Sequence, residues 1–363
     1  MARKMIIAGG GTGGHIFPAI AVANALRKQE PDIEILFVGA KGKMEMEKVP
    51  QAGFPIEGLD IAGFNRSSLI KNISLPFKLI KSFFQVRRIF SAFQPDAVLG
   101  VGGYSSFPVL RLAQQRGIPS FIHESNSFAG KSNILLGKRA TKIFVAAGGM
   151  EKFFPLEKIV VTGNPVRLSI SDSKVSRDEA IRFFSLDPAR TTVLSVGGSL
   201  GAKSINEALD KKLEEWQKAG IQLIWQTGKP YAARAAERTV ANPVIRSFDF
   251  INRMDMAYAA ADVVISRAGA MAIAELRVVG KPCVLVPYPF AAEDHQTANA
   301  VALVNQHAAL MVKDAEAGSE LVSTTLQLAT DENKKQELKK NIQHMAIADA
   351  DQRISSAILE QLK

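Results

Sequence analysis

The N-terminal segment of the chain reads Ile6-Ile7-Ala8-Gly9-Gly10-Gly11-Thr12-Gly13-Gly14-His15-Ile16-Phe17-Pro18, and an alanine-rich run follows it. This order predicts a short buried strand, a glycine turn and an amphipathic helix. Glycines let backbone N–H groups approach a ligand closely, and the N-terminus of a helix favours negative charge. We therefore expect the turn to bind a phosphate or another polar group.

The glycine turn also satisfies the spacing G-x-G-x-x-G, which is typical of dinucleotide-binding enzymes. Those enzymes place an acidic residue near the end of the next strand, where it bonds the ribose hydroxyls. Here the next strand, Ile33 to Val38, is followed by Gly39-Ala40-Lys41-Gly42-Lys43, and the first acid is Glu45. The missing acid argues against a nicotinamide or flavin enzyme.

His15 lies at the mouth of the same turn. Its imidazole exchanges protons near neutral pH, so it is a candidate general base. The alternative is a histidine that only caps the helix or bonds a neighbouring carbonyl. The remaining histidines are scattered without the spacing of metal ligands, so no metal site is predicted.

The composition suits two cytosolic domains. A chain of 363 residues with 47% hydrophobic residues is long enough for two cores. The single cysteine, Cys283, excludes an internal disulfide, and its apolar strand predicts a buried, inert thiol. No apolar segment approaches the length of a signal peptide or a membrane span. The formal net charge of +10 predicts an anionic partner.

Apolar strands alternate with helical patterns along the whole chain, which predicts two parallel sheets wrapped by helices. The predicted strands are Met5–Ala8, Ile33–Val38, Ala97–Leu99, Ser120–His123, Lys142–Val145, Ile159–Val161, Thr192–Val196, Gln222–Gln226, Val244–Ser247, Val263–Ser266 and Cys283–Val286. A polar run from Ser169 to Glu179 marks the junction. Because ligands bind at the carboxyl ends of parallel strands, we expect a cleft between the two domains.

Polar and glycine-rich segments follow several of these strands. Gly100-Val101-Gly102-Gly103-Tyr104-Ser105 and Gly197-Gly198-Ser199-Leu200-Gly201-Ala202 are two further glycine loops. Ser199 and Arg167 are candidates for binding phosphate. Glu275, early in a predicted helix, either accepts ribose hydroxyls or only stabilises the helix dipole.

The stretch between Asp60 and Asp96 contains six cations and no acid, which is more than half of the net charge. A helix is predicted from Ser74 and Pro76 to about Phe93. One apolar stripe is assigned to the core, and a second stripe, Phe77, Ile80 and Phe84, lies nearly opposite it among Lys81, Arg87 and Arg88. Either a loop or another subunit covers the second stripe, or the helix binds a membrane surface. No pattern for stacking bases accompanies the cations, which argues against nucleic acid.

Six motifs in sequence resemble the MurG family of bacterial peptidoglycan glycosyltransferases, which make lipid II. They are Gly-Gly-Thr-Gly-Gly-His-Ile-Phe-Pro at 10–18, Gly-Val-Gly-Gly-Tyr at 100–104, His-Glu-Ser-Asn at 123–126, Gly-Asn-Pro-Val-Arg at 163–167, Gly-Gly-Ser-Leu-Gly-Ala at 197–202 and the 269–275 segment. The resemblance implies the GT-B fold, with two Rossmann-like domains facing across a cleft, and no metal or other cofactor. It implies inverting transfer from UDP-N-acetylglucosamine to undecaprenyl-pyrophosphoryl-N-acetylmuramoyl-pentapeptide (lipid I).

The resemblance also implies roles for individual residues, with His15 as the proposed catalytic base. The substrate-binding residues it implies are Thr12, Gly13, Gly14, Asn126, Arg167, Ser199, Ile251, Ala270, Met271, Ala272, Ile273, Ala274, Glu275 and Gln296. Among these, Arg167 and Ser199 would hold the donor phosphates and Glu275 its ribose. The loop Gly102, Gly103 and Tyr104 would contact the acceptor, and Phe77, Ile80, Lys81, Phe84 and Arg88 would face the membrane.

The predicted domains are an acceptor and membrane-facing domain over 1–165, with a C-terminal helix at about 346–363 packing back on it, and a UDP-sugar-binding domain over 166–345. The resemblance places the protein peripherally on the cytoplasmic side of the bacterial inner membrane. Its implied partners are the two substrates, an anionic phospholipid surface, and cell-wall and division proteins, with no nucleic acid. Two alternatives remain: a GT-B enzyme with a different acceptor, and a non-catalytic nucleotide-sugar-binding protein.

Overall fold

A computed structural model describes residues 2–63, 75–198, 200–291 and 294–362. The chain forms two compact units. The first unit comprises Met1–Arg167 and Asp349–Lys363, and the second comprises Leu168–Ala348.

The first unit contains a seven-stranded sheet in which every strand pair is parallel. Its strands are β1 (Lys4–Ala8), β2 (Glu34–Ala40), β3 (Ile56–Leu59), β4 (Ala97–Gly100), β5 (Ser120–Glu124), β6 (Lys142–Val145) and β7 (Ile159–Val161). Its helices are α1 (Gly13–Gln29), α2 (Glu45–Gln51), α3 (Leu75–Phe93), α4 (Ser106–Gln115), α5 (Lys131–Gly137) and, from the C-terminus, α16 (Ala350–Glu360). The strand order is β3-β2-β1-β4-β5-β6-β7.

Each face of this sheet is covered by helices. Along β1, Met5 and Ile7 belong to the cluster that includes Ile16 of α1 and Ile354 of α16. The alternate residues of β1 belong to the opposite cluster, with Val86 and Phe90 of α3 and Val109 of α4. A strand buried on both faces reads as a continuous apolar run, which is why β1 is evident from the sequence.

The second unit contains a six-stranded parallel sheet in the order β10-β9-β8-β11-β12-β13. Its strands are β8 (Thr192–Val196), β9 (Gln222–Gln226), β10 (Ile245–Phe248), β11 (Val263–Ser266), β12 (Cys283–Leu285) and β13 (Leu310–Met311). Its helices are α6 (Leu168–Ser171), α7 (Arg177–Phe183), α8 (Lys203–Lys211), α9 (Leu213–Ala219), α10 (Lys229–Thr239), α11 (Met254–Ala260), α12 (Ala270–Val279), α13 (His295–Val304), α14 (Ala317–Thr330) and α15 (Glu332–His344). The predicted class, α/β with two Rossmann-like parallel sheets, is confirmed.

Each sheet reverses its strand order at one point, between β1 and β4 in the first unit and between β8 and β11 in the second. Such a reversal leaves a crevice at the carboxyl ends of the two strands, where open parallel sheets bind their ligands. In both units, glycine-containing segments follow the two strands that flank the reversal. The topology therefore brings the glycine motifs together in pairs.

Candidate active site

The glycine loops after β1 and β4 contact each other through their backbones. Gly10 N–H donates to Gly102 O at 3.2 Å, and a Cβ on Gly103 would lie 2.5 Å from Gly10 O. Side chains at these glycines would push the loops apart, because the two backbones are in contact. The φ angles of the glycines are also in the range that other residues rarely adopt. Thr12, the N-cap of α1, is exposed, and its side chain makes no capping hydrogen bond.

His15 is half-buried in the first turn of α1, and its Nδ1 lies 3.0 Å from Gly10 O. A carbonyl oxygen only accepts hydrogen bonds, so neutral His15 carries its proton on Nδ1. Nε2 then holds the free lone pair and faces Gly102, where an added Cβ would lie 2.8 Å from it. This is the tautomer that a general base needs.

Glu45, the first acid after β2 and too late in the sequence for a dinucleotide site, folds back onto the first glycine loop. Its side chain is 1% exposed. Oε2 accepts a hydrogen bond from Gly11 N–H at 2.8 Å, and Oε1 accepts one from Ala40 N–H at 3.0 Å. The glycine turn therefore already has a carboxylate bonded to one of its amides.

His123, at the end of β5, is buried near the same loops. Burial lowers the pKa of its imidazole to about 4, and the neighbouring His15 acts in the same direction. Its Nε2 and the Oδ1 of Asn164 find no hydrogen-bond partner among the described residues. Asn164 Nδ2 donates to Ser125 O at 3.0 Å, which fixes the loop that follows β5.

Glu124 organises the loop that carries Asn126. Its Oε1 accepts from the backbone and side-chain nitrogens of Asn126, at 3.1 and 3.2 Å. Its Oε2 accepts from Gly130 N–H at 3.1 Å and from Asn133 Nδ2 at 2.9 Å. With four amide donors on one carboxylate, Glu124 positions Asn126 and is a poor candidate for the catalytic base.

Two further candidate binding residues of the first unit are Arg167 and Tyr104. The guanidinium of half-buried Arg167 lies 4.8 Å from the centroid of the Phe17 ring, one turn along α1 from the glycine loop. Tyr104 is 55% exposed, and its ring lies against Gly63 so closely that any Cβ there would overlap it. Arg167 therefore brings a positive charge close to the start of α1.

In the second unit, Gln226 at the end of β9 joins two candidate segments. Its Nε2 donates to Gly198 O, and its Oε1 accepts from Ile251 N–H, each at 3.0 Å. The N–H of Ile251 is thus used within the protein and is not available to a ligand. Ser199 lies outside the described residues.

The start of α12 presents uncapped amides. Its N-cap, Gly269, lacks a side chain, and its first turn, from Ala270 through Met271 to Ala272, contains no acid. Ile273 is buried, whereas Ala274 is half-buried. This arrangement suits an anion at the helix N-terminus.

Glu275 lies in the second turn of α12, and Gln296 lies beside the N-cap of the same helix. Glu275 Oε2 accepts from Tyr258 OH at 3.0 Å, which orients the half-buried carboxylate. Gln296 Oε1 accepts from Tyr288 N–H at 3.0 Å, and its Nε2 would lie 4.0 Å from a Cβ on Gly269. The structure thus brings the predicted sugar and helix-terminus residues together.

Arg267, two residues before Gly269, makes several contacts that hold neighbouring loops. It bonds Asp314, Ser204 Oγ and the carbonyls of Val286 and Pro287. These partners come from α8 and from segments after β12 and β13. Arg267 therefore ties together the loops at the carboxyl edge of the second sheet, a role that no local sequence pattern reveals.

The second apolar stripe of helix α3 is exposed. Phe77, Ile80 and Phe84 are 75%, 57% and 63% exposed. Lys81 pairs with Asp60 at 2.9 Å, and hydrogen bonds from Lys81 and Lys41 lower the pKa of Asp60 to about 2. The predicted cap at Ser74 lies outside the described residues.

None of the described helices combines the length and apolar character needed to cross a bilayer. In the same part of the chain, no three His, Cys, Asp or Glu side chains cluster as a metal-binding group.

Family models match both units of the chain. The Glycosyltransferase family 28 N-terminal domain matches residues 5–145, and the C-terminal domain of the same family matches residues 192–354. The chain belongs to glycosyltransferase family 28 and is a glycosyltransferase of the GT-B fold.

Relatives with curated names match nearly the whole chain. The chain is 51% identical to a protein from Phocaeicola vulgatus over 96% of this chain and 93% of the relative, and 49% identical to one from Parabacteroides distasonis over 98% of both. Both are named UDP-N-acetylglucosamine--N-acetylmuramyl-(pentapeptide) pyrophosphoryl-undecaprenol N-acetylglucosamine transferase. A crystal structure of MurG from Acinetobacter baumannii is similar, with a TM-score of 0.77, 29% identity and coverage of 99% of this chain and 100% of that one. The predicted resemblance is confirmed.

Proposed function

We propose that this enzyme transfers N-acetylglucosamine from UDP-N-acetylglucosamine to the 4-hydroxyl of undecaprenyl-pyrophosphoryl-N-acetylmuramoyl-pentapeptide, forming lipid II for peptidoglycan. The relatives that are about half identical over nearly the whole chain carry the names of this donor and this acceptor. The observation that carries the proposal is the geometry of His15, whose free Nε2 stands beside the paired glycine loops. A non-catalytic nucleotide-sugar-binding protein would have no need of such a base.

In the proposed reaction, His15 Nε2 accepts the proton of the acceptor 4-hydroxyl. The oxygen attacks the anomeric carbon of the donor from the face opposite the leaving group, and the bond from that carbon to the diphosphate breaks. A single displacement of this kind inverts the anomeric centre, and UDP leaves with the bonding electron pair. His15 lowers the barrier because it removes the proton while the new bond forms.

The donor would be held mainly by the second unit. We assign the ribose hydroxyls to Glu275, the uracil to the carbonyl of Ile251 and the sugar hydroxyls to Gln296. The amides at the start of α12 would meet the charge that develops on the diphosphate. Thr12, Gly13, Gly14 and Asn126 of the first unit would contact the donor as well.

Arg167 and Ser199 would add donors to the diphosphate, so the proposed reaction requires no metal ion. A guanidinium makes two parallel hydrogen bonds to phosphate oxygens, which matches the charge on the leaving group. The loop of Gly102, Gly103 and Tyr104 would contact the acceptor near its pyrophosphate. We thus assign the first unit chiefly to the acceptor and the second to the donor.

Helix α3 would bind the cytoplasmic face of the inner membrane, where the acceptor is anchored. Exposed Phe77, Ile80 and Phe84 would enter the acyl boundary, and Arg88, with Lys81 beside it, would lie near lipid phosphates. A soluble protein gains nothing from three large apolar side chains on a basic helix face. Peripheral binding of this kind would also place the enzyme among cell-wall and division proteins.

The reaction is tested by incubating the enzyme with labelled UDP-N-acetylglucosamine, a short-chain lipid I analogue and EDTA. We expect transfer of the label, with a β linkage shown by the anomeric coupling constant of the product. If the folded enzyme transfers no label to this acceptor but does so to another, the family-level function stands and the proposed acceptor is wrong.

The membrane assignment is tested with the triple variant Phe77→Ser, Ile80→Ser, Phe84→Ser and vesicles that contain phosphatidylglycerol. We expect vesicle affinity to fall at least about tenfold, because the variant loses three apolar side chains at the interface. Val240→Ser is the matched control, since Val240 is 87% exposed on the second unit. Unchanged vesicle binding by a folded triple variant would contradict the assignment.

A further inference from the structure

Glu45 is a buried acid that the proposed reaction does not use. It is the first residue of α2, yet its oxygens bond the amides of Gly11 and Ala40, which lie outside that helix. Its contact with Gly11 spans 34 residues of sequence. A carboxylate with this burial that served only the helix dipole would face its own helix, so these contacts call for another explanation.

The chain leaves room for this carboxylate by placing glycines around it. A Cβ on Gly10 would overlap the carboxylate, and a Cβ on Gly39 would lie 2.5 Å from Glu45 Cγ. Gly10 also has a φ of +147°, a conformation that other residues rarely adopt. The turn is therefore shaped to accept the Glu45 side chain in one position.

One peptide unit connects Glu45 to His15. The N–H of the Gly10–Gly11 peptide is that of Gly11, which donates to Glu45 Oε2 at 2.8 Å. The carbonyl of the same peptide is that of Gly10, which accepts from His15 Nδ1 at 3.0 Å. Because a peptide unit is planar, fixing its N–H fixes the direction of its carbonyl.

We propose that Glu45 is a positioning residue that acts on His15 through the Gly10–Gly11 peptide, holding the imidazole in its Nδ1–H tautomer with Nε2 free. The carboxylate also polarises the peptide, since hydrogen bonds in a chain strengthen one another, and Gly10 O becomes a better acceptor. No proton passes through the peptide. The arrangement gives His15 the support that a directly bonded carboxylate would give, with one peptide between them.

This inference rests on the proposed role of His15 as the base, so its test measures the tautomer and the reaction separately. Glu45→Gln keeps the size of the side chain but replaces one acceptor oxygen with an amide donor, which leaves one backbone N–H without its acceptor. Glu47→Gln is the matched control, because it removes the same charge from an exposed position on the same helix.

The tautomer is read from long-range ¹H–¹⁵N correlations of protein labelled with ¹⁵N-histidine, and the His15→Gln variant identifies the His15 signals. We expect His15 of the wild type and of Glu47→Gln to show the Nδ1–H pattern. Glu45→Gln should show a mixture of tautomers or the Nε2–H form. An unchanged pattern in Glu45→Gln would overturn the proposal.

In the transfer assay, we expect kcat of Glu45→Gln to fall between about 10- and 100-fold, with the donor KM within about twofold of the wild type, because a displaced base slows the reaction without loosening donor binding. In the His15→Ala background, Glu45→Gln should cause no further loss of kcat. Equal losses with and without His15 would overturn the proposal.

A changed tautomer with unchanged kcat would support the positioning of His15 and would contradict its proposed catalytic role. If Glu45→Gln does not fold, Glu45→Asp gives the same two measurements, since it keeps both acceptor oxygens but shortens their reach by one methylene.

Discussion

The two sheets place glycine motifs at the same topological point and use them differently. In the first unit, the glycine turn after β1 has its Gly11 amide bonded by Glu45 and its Gly10 carbonyl bonded by His15. In the second unit, α12 begins at Gly269 with no side-chain cap and no acid in its first turn. The first turn therefore has its polar backbone groups bonded by side chains, whereas the start of α12 has no side-chain cap, which is the arrangement that an anion site requires. A glycine motif predicts that another group can come close to the backbone. Residues distant in sequence decide whether that group is a side chain of the protein or a ligand.

The largest effect should come from filling the turn of the first unit. In Gly10→Ala, the new Cβ would overlap the Glu45 carboxylate at a φ that alanine rarely adopts, so we expect kcat to fall by more than about 100-fold. Gly198→Ala is the counterpart in the second unit: its φ of +87° is also one that alanine rarely adopts, but an added Cβ meets no described atom within 4 Å. Gly198→Ala should lower kcat less than Gly10→Ala does. Equal losses of kcat would contradict the proposal that the first glycine loop is specially shaped around the Glu45 carboxylate.

The first unit should also be the more sensitive to acid, because it contains the buried His123, whereas His295, His307 and His344 of the second unit are not buried. The pKa of His123 is about 4 in the folded protein, and an unfolded histidine titrates near 6.5. Between these values the unfolded state binds more protons, so the free energy of unfolding falls as the pH falls from about 6.5 to about 4, by up to about 3 kcal/mol.

This pH dependence is measured as Tm against pH for the wild type, His123→Gln and His344→Gln. We expect the loss of Tm below pH 6.5 to be smaller in His123→Gln and unchanged in the exposed control His344→Gln. Parallel Tm curves for all three proteins would show that another group causes the acid sensitivity.

Donor binding should depend on the second unit. In Glu275→Ala, the ribose loses a charged acceptor, and we expect the Kd for UDP-N-acetylglucosamine, measured by calorimetry, to rise between about 10- and 100-fold. Glu320→Ala, at an exposed position of α14, controls for the loss of charge. An unchanged Kd in Glu275→Ala would contradict the ribose assignment and favour the alternative, in which Glu275 only stabilises the helix dipole.

The smallest effect should come from metal removal. If Arg167, the loop after β8 and the start of α12 meet the diphosphate charge, EDTA should change kcat by less than about twofold. A loss of transfer in EDTA that is restored by Mg²⁺ would show that a metal ion shares this task.

Most of the fold is predictable from the sequence, because strands buried on both faces read as short apolar runs. The sequence pattern does not predict the strands β3 and β13, and the reason is physical. In β3, Glu57 is exposed and Gly58 interrupts the apolar pattern, and β13 is only two residues long. Short edge strands of this kind acquire their pairing from the neighbouring strand, which a local pattern does not show.

The sequence predicts a residue of the candidate site when its reactive side chain lies within, or just after, a recognisable strand and turn. His15 stands inside the glycine turn, and Glu275 follows a strand and a turn of small residues. The partners that orient the site were not predictable. Glu45 bonds Gly11, which lies 34 residues away in sequence, and Arg267 bonds groups up to 63 residues away. Such contacts exist only after the sheet has formed.

The central claim is that the first unit supplies the base and the second unit holds the donor. It is tested most directly by measuring kcat for transfer and the Kd for UDP-N-acetylglucosamine in folded His15→Ala. We predict that kcat falls by at least about 100-fold while the Kd stays within about twofold of the wild type. A kcat within about tenfold of the wild type, or a Kd that rises in parallel with the loss of kcat, would contradict the account.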